Sequence, residues 1–237
     1  MSNNWFQFKK FRIEQERSAL KVGTDGVLLG AWCKVTGAAK ILDVGTGTGL
    51  IALMMAQLST AAISAIEIDE ASCGDALLNF RNSPWRERLR LFSGDFNAFQ
   101  DTHPEKYDLV VSNPPFFVKS MRSADSASSV ARHDVSLSFQ QLIAGSKRVL
   151  NENGRLAVIL PVEALDDFRE TARLEGFYLG RKTTVSPKLG KPPKRVLLEF
   201  SLAAVYPEID ELVILQEPHK YSARFEDLTK EFYLNHG

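Results

Sequence analysis

Five residues, Ser112-Asn113-Pro114-Pro115-Phe116, bring an amide, two rigid prolines and an aromatic ring into one short stretch. The Asn113 side chain offers one carbonyl acceptor and two N–H donors. Pro114 and Pro115 have no backbone N–H, and each pushes the residue before it into an extended conformation. The amide is therefore held on a stiff backbone beside fixed carbonyls, an arrangement suited to gripping a planar –NH2 group while the Phe116 ring stacks on the same plane. A strand-ending turn accounts for the same residues, since Asn-Pro commonly opens turns. The choice between the two depends on what surrounds them.

A second constellation is Asp43-Val44-Gly45-Thr46-Gly47-Thr48-Gly49, which lies between a short apolar run, Lys40 to Val44, and a helical apolar pattern, Leu50 to Leu58. The spacing is GxGxG, not the GxGxxG of pyrophosphate-binding dinucleotide folds. Three missing side chains let a ligand lie against the backbone, and Asp43 suits a cationic rather than a phosphate group. Glu67 ends the next apolar run about twenty residues beyond, where an acid accepts both ribose hydroxyls of a nucleoside. Asp95-Phe96 ends the run Leu89 to Ser93, pairing an acceptor for an exocyclic amine with a ring that covers a base. An ordinary turn residue explains Asp95 equally well; for Glu67 the alternative is a helix-capping acid, a role that Asp69 suits better.

The elements that position these groups alternate between strand and helix periodicities. Buried strands are read at Lys40–Val44, Ala62–Ile68, Leu89–Ser93, Tyr107–Val111 and Arg155–Leu160, with helices over 70–81, 138–150 and 162–174 between them. Two further strands, Phe177–Val185 and Arg195–Ala203, flank a connector carrying Lys188, Lys191 and Lys194, continued by Arg195, with no acid. That is the strongest candidate in the chain for a phosphate-binding basic patch. The tail reads as a strand at Leu212–Leu215 and an amphipathic helix over 222–233.

Before the glycine loop, Trp5 to Ile13 reads as a hairpin. Gly23-Thr24-Asp25 then opens a short apolar helix, whose N-terminus is either simply capped or a site for a carboxylate. The segment 117–136, with Lys119, Arg122, Arg132 and His133, is long for a loop and reads as a lid or a disordered stretch.

The totals exclude several classes. With 237 residues, 44% hydrophobic and 24% charged, the chain has apolar mass for one large domain. No apolar run approaches the roughly 18–20 residues of a membrane span, and the polar N-terminus is not a secretory signal. Cys33 and Cys73 form no CxxC pair, which argues against a structural metal and for a reducing, cytoplasmic setting. Lys plus Arg and Asp plus Glu each number 29, so any nucleic-acid footprint must be local.

Taken in order, the glycine loop, Glu67, Asp95-Phe96 and Asn113-Pro114-Pro115-Phe116 resemble the class I S-adenosylmethionine-dependent methyltransferases of the amino-methylating branch. Lys21 to Trp32, Ser83-Pro84-Trp85 and Arg195-Val196-Leu197-Leu198 narrow the resemblance to the bacterial tRNA adenine-N6 methyltransferases that act on the adenine 3′ of the anticodon. The likeness runs from Phe6 to Tyr233, with Phe116 standing where many relatives carry Tyr.

The resemblance implies an α/β, Rossmann-like, seven-stranded, mostly parallel sheet with one antiparallel edge strand, that of Arg195, and helices on both faces. The chain is then one methyltransferase domain, 1–237, whose N-terminal extension 1–38 packs on or near the active site. S-adenosyl-L-methionine is the implied cofactor, bound by Thr24, Asp43, Gly45, Gly47, Gly49, Glu67, Asp95 and Phe96. Asn113, Pro114 and Phe116 are the implied catalytic residues. Lys188, Lys191, Lys194 and Arg195 contact a tRNA substrate, with no metal, no membrane and a monomeric enzyme. A glutamine-amide protein methyltransferase, or a non-catalytic RNA-binding protein, is the alternative. A nicotinamide oxidoreductase is disfavoured by the glycine spacing.

Overall fold

The computed structural model describes residues 3–115 and 137–234. The strands that read as unbroken apolar runs lie deepest. β3 (Lys40–Val44) and β6 (Tyr107–Ser112) pair in parallel at the centre of a nine-stranded sheet. Being covered on both faces, they have no polar side to present to water, which is why they do not alternate. β4 (Ala62–Glu67) and β5 (Leu89–Ser93) extend the sheet on one side of β3. β7 (Leu150–Pro161), β9 (Arg195–Ser201), β8 (Tyr178–Lys188), β10 (Glu208–Glu217) and β11 (Lys220–Tyr221) follow in that order beyond β6.

Seven of these strands form the expected sheet, and the tail adds two. The Arg195 strand, expected at the edge, is instead internal, antiparallel to both β7 and β8. It is internal because β8 pairs on its outer side; β10, longer than the four residues expected of it, pairs in parallel with β8 in turn, so β8 is not an edge either. Asn151 to Gly154 belong to β7 as an irregularity. Tyr107 faces Leu150 and Leu109 already faces Arg155, so the intervening residues bulge out of register.

Helices cover both faces. On one side α1 (Thr24–Trp32), α2 (Leu50–Leu58) and α7 (Ala223–Thr229) pack with the N-terminal hairpin, β1 (Trp5–Gln7) and β2 (Arg12–Glu14). Phe8 and Phe11 are buried and stack with ring centroids 4.7 Å apart, Phe8 against Tyr233 and Phe11 against Trp85, so the aromatic run of the hairpin is core at this edge. On the other side α4 (Phe96–Thr102), α5 (Phe139–Val149) and α6 (Leu165–Leu174) cover the sheet. α5 starts with a capping box, in which the Ser138 hydroxyl accepts from the Gln141 N–H and the Gln141 side chain accepts from the Ser138 N–H. α3 (Glu70–Asn82) flanks β5 and β2 with an unusually polar buried face: Ser72, Asp75 and Asn79 beside Ala76 and Phe80.

Candidate active site

Chain order runs β3, β4, β5 in one direction and then returns to place β6 on the other side of β3. The point where that order reverses leaves a crevice beyond the carboxyl ends of the strands, the usual ligand position in such sheets. A cavity of about 340 Å³ lies there. Val44 and Gly45 from β3 and its loop, Ile66 and Glu67 from β4, and Ser112 and Asn113 from β6 all line it. Ser112 ties the two central strand ends together, its hydroxyl donating to the Val44 carbonyl at 2.8 Å.

The glycine loop is bent by left-handed backbone: φ is 71° at Gly45, 56° at Gly47 and 83° at Gly49. A side chain is disfavoured in that region. The N–H groups of Gly45 and Thr46 both donate to the Ile66 carbonyl, at 2.9 and 3.1 Å, which pins the loop to β4. A Cβ at Gly45 or Gly47 would meet nothing within 4 Å, so both leave open space at the cavity wall. Gly49 plays a different part. It is the N-cap of α2, lies off the cavity wall, and a Cβ there would come within 2.5 Å of the Phe80 ring.

Asp43 is likewise a builder of the loop and not part of the wall. It is fully buried, and its Oδ2 accepts from the Thr46 hydroxyl at 2.6 Å and the Ala52 N–H at 3.1 Å. Its Oδ1 is buried without a partner among the described residues. Burial pushes this carboxyl up to about 7, against the pull of those two hydrogen bonds.

Glu67 does reach the cavity, and it also braces it. Oε2 accepts from the Gly47 N–H at 2.8 Å, while Oε1 accepts from the Ile68 and Asp69 N–H groups, each at 2.9 Å. A carboxylate has about four lone-pair sites, so capacity for a ligand hydroxyl remains. Asp95 caps α4 with one oxygen, Oδ1 accepting from the Asn97 N–H at 2.9 Å, and leaves Oδ2 uncommitted among the described residues. Phe96 lines the cavity, but its ring is 4% exposed and packs where a Cβ on Gly145 would meet it at 2.6 Å, so it is more core than cover.

Asn113, Pro114 and Pro115 form the opposite wall, and the Asn113 amide has no hydrogen-bond partner among the described residues. Phe116 and the segment to residue 136, with Lys119, Arg122, Arg132 and His133, lie outside the described residues.

Other expected residues stand apart from the cavity. Thr24, at the start of α1, borders a separate hollow with Tyr221 and Phe225. Lys188 ends β8 at the carboxyl edge of the sheet, and Lys191 and Lys194 are exposed in the turn that follows. Arg195 is committed, its Nε donating to Asp25 Oδ2 at 2.7 Å. Sequence reading missed Ala19, Leu20, Ile68, Leu137 and Gln141, all of which line the cavity. Only Ile68, directly after Glu67, carried a positional signal.

The donor set fits a nucleoside-bearing cation: two side-chain-free glycines, an acid at the end of the second strand, and another with a free oxygen at the end of the third. A parallel sheet with these groups at its switch point is that of a Rossmann-like methyltransferase.

Comparison with known proteins agrees. Residues 23–164 match the methyltransferase small domain. A tRNA1(Val) (adenine(37)-N6)-methyltransferase of Bacteroides fragilis is 42% identical over 235 residues, covering 99% of each chain. A crystal structure of a predicted O-methyltransferase from Agrobacterium tumefaciens matches 88% of this chain and 96% of its own with a TM-score of 0.68 at 16% identity. A glycopeptide N-methyltransferase complexed with S-adenosylmethionine matches 77% of this chain and 100% of its own, with a TM-score of 0.55 at 16% identity. The chain belongs to the methyltransferase small-domain family and is S-adenosylmethionine-dependent.

Proposed function

We propose that this protein transfers a methyl group from S-adenosylmethionine to the exocyclic N6 of an adenine in tRNA, the adenine 3′ of the anticodon in tRNA1(Val), as the name of its relative describes. One observation carries the reading: Gly45 and Gly47 share a single cavity with Asn113 and Pro114. Cofactor cradle and amine grip are thereby adjacent.

Gly45, Gly47, Glu67 and Asp95 would hold the cofactor, which supplies an electrophilic methyl on a positively charged sulfur. The protein's task is orientation. An adenine N6 is a weak nucleophile because its lone pair is delocalised into the ring. The Asn113 side-chain oxygen and the Pro114 carbonyl would accept hydrogen bonds from its two N–H groups, which favours a tetrahedral nitrogen with the lone pair directed at the methyl; the methylated nitrogen then gives up one proton to water. Fixed acceptors of this kind act through positioning and electrostatics, without a covalent intermediate. Phe116 stacks on the base, contributing about 1–3 kcal/mol, comparable to the few kcal/mol needed to unstack a target nucleotide. The connector Lys188, Lys191 and Lys194 lies at the same edge of the sheet and suits the phosphates of a docked RNA. The enzyme acts as a cytoplasmic monomer, which sedimentation at working concentration tests.

Incubation with labelled cofactor and separate pools of tRNA, ribosomal RNA, DNA and protein, followed by digestion of the labelled pool, tests the whole reading. Label recovered as N6-methyladenosine from tRNA supports it. Label on a glutamine amide, or none at all, refutes it.

A further inference from the structure

We propose that Asn79 and Asp75, which do not line the cavity, are positioning residues for the cofactor: from the buried face of α3 they hold the bend between Glu14 and Val22 so that Ala19 and Leu20 close one wall of the site. The proposal rests on the reading that this cavity holds S-adenosylmethionine.

Asn79 is 1% exposed and uses its whole amide. Its Oδ1 accepts from the Glu14 N–H at 2.7 Å. Its Nδ2 donates to the Glu14 carbonyl and to the Thr48 carbonyl, each at 2.8 Å. One side chain thus joins the N-terminal segment to the glycine loop. One turn earlier on the same face, Asp75 is 2% exposed, and its Oδ2 accepts from the Arg17 and Ser18 N–H groups at 2.9 and 2.8 Å.

The bend is also closed on itself. Gln15 Nε2 donates to the Asn3 carbonyl, its Oε1 accepts from the Val22 N–H at 2.7 Å, and the Lys21 ammonium donates to the Gln15 carbonyl. A segment held at so many points is a preformed wall. At its tip, Leu20 lines the cavity and is 72% exposed, an apolar side chain that an occupant of the cavity would cover. If the clamp is removed, the tip is free to move in the empty protein, and ordering it again opposes binding.

The test measures S-adenosylmethionine affinity by calorimetry on the full chain for Asn79→Ala, Leu20→Gly and the double variant. Each single change is expected to weaken binding about tenfold, the equivalent of one lost hydrogen bond or apolar contact. The double variant is expected to bind no more weakly than the weaker single, because both act through the same wall. Hydrogen exchange without ligand is expected to speed up at Arg17 and Ser18 in Asn79→Ala while the amides of β3 and β6 stay protected; a general loss of structure would move both. Affinity for RNA is expected to hold.

Unchanged cofactor affinity in Asn79→Ala, or single effects that multiply in full, overturns the proposal. Should Asn79→Ala fail to fold, Asp75→Ala, which removes the acceptor of the Arg17 and Ser18 N–H groups, replaces it in the same cycle with the same criteria. Asp95→Ala separates the two levels. If it weakens binding and the clamp variants do not, only this proposal fails. If none of these variants weakens binding, the assignment of the cavity fails.

Discussion

The three glycines of the loop share a left-handed backbone but not a role, and substituting alanine at two of them separates stability from binding. Gly49→Ala forces a side chain into αL backbone, costing about 1–2 kcal/mol, and sets its Cβ 2.5 Å from a Phe80 ring that is 3% exposed. Overpacking of that kind costs about 1–3 kcal/mol more. The sum, about 2–5 kcal/mol, is a large part of a typical domain's stability of about 5–15 kcal/mol. With a urea dependence of about 2–3 kcal/mol per molar, the unfolding midpoint falls by about 1–2 M. Gly47→Ala pays the backbone cost alone, since nothing lies within 4 Å of the added carbon, so its midpoint falls by less than about 1 M. That carbon enters space the ligand needs, and cofactor affinity drops about tenfold or more. The assay is urea unfolding of each variant beside cofactor titration under native conditions, with Phe80→Leu added to Gly49→Ala to relieve the overpacking. Equal midpoints for the two alanine variants, or a Gly49→Ala midpoint unaffected by Phe80→Leu, would refute the assignment of Gly49 to packing and Gly47 to the ligand.

Asn113→Ala is expected to abolish turnover while leaving cofactor affinity within about twofold, since no binding role for the amide is required; parallel losses in single-turnover rate and cofactor titration would point to a structural role. Asp43 titrates in an unusual direction for an aspartate. Its folded value, about 7, lies above the 3.8 of an unperturbed group, so its contribution is complete below about pH 4, is lost as pH rises toward 7 and is flat beyond. The stability of the native protein relative to Asp43→Asn should therefore fall by a few kcal/mol between pH 4 and pH 8, and a pH-independent difference in urea midpoints would contradict this. Glu199, buried on β9, pairs with Arg155 at 2.9 Å and lies 4.0 Å from Arg181. Glu199→Leu leaves the Arg155 guanidinium without its carboxylate, while Arg181 keeps Glu208 at 3.6 Å, and should cost about 1–3 kcal/mol in thermal or chemical unfolding. Lys191→Glu and Lys194→Glu should weaken RNA binding and flatten its dependence on salt, with cofactor affinity unchanged; unaltered salt slopes would remove the connector from the interface.

Much of the sheet was legible because its central strands are continuous apolar runs ending in Gly, Pro or an acid, signals that belong to the local chain. The residues at those ends, Gly45, Gly47, Glu67, Asp95 and Asn113, were legible as a set for the same reason: a parallel sheet brings the carboxyl ends of its strands together whatever the helices do. For Asp43 and Gly49, sequence position gives their place at the loop but not the direction they face. One carboxylate turns inward to Thr46 and Ala52, and one glycine turns toward Phe80. The surroundings of Thr24 and Arg195 were not legible because they come from far away in the chain, Tyr221 and Phe225 for one and Asp25 for the other.

The polar face of α3 shows what a hydrophobicity pattern passes over. Ser72, Asp75, Ala76 and Asn79 follow the i, i+3, i+4, i+7 spacing of a buried helical stripe, and Phe80 lies beside it, yet three of the four are polar. Buried polar side chains persist only when they are bonded, so polar residues on the inward stripe imply a partner lacking its own secondary-structure hydrogen bonds. Here that partner is the N-terminal bend, whose N–H groups at Arg17 and Ser18 belong to no strand or helix. A helix that stabilises by apolar burial alone tolerates repacking; one that completes another segment's hydrogen bonding fixes where that segment lies. Asp75 and Asn79, two of the three polar residues that weaken the hydrophobic signature of α3, hold the bend that carries Ala19 and Leu20, and with it the cavity wall that the strand ends alone leave open.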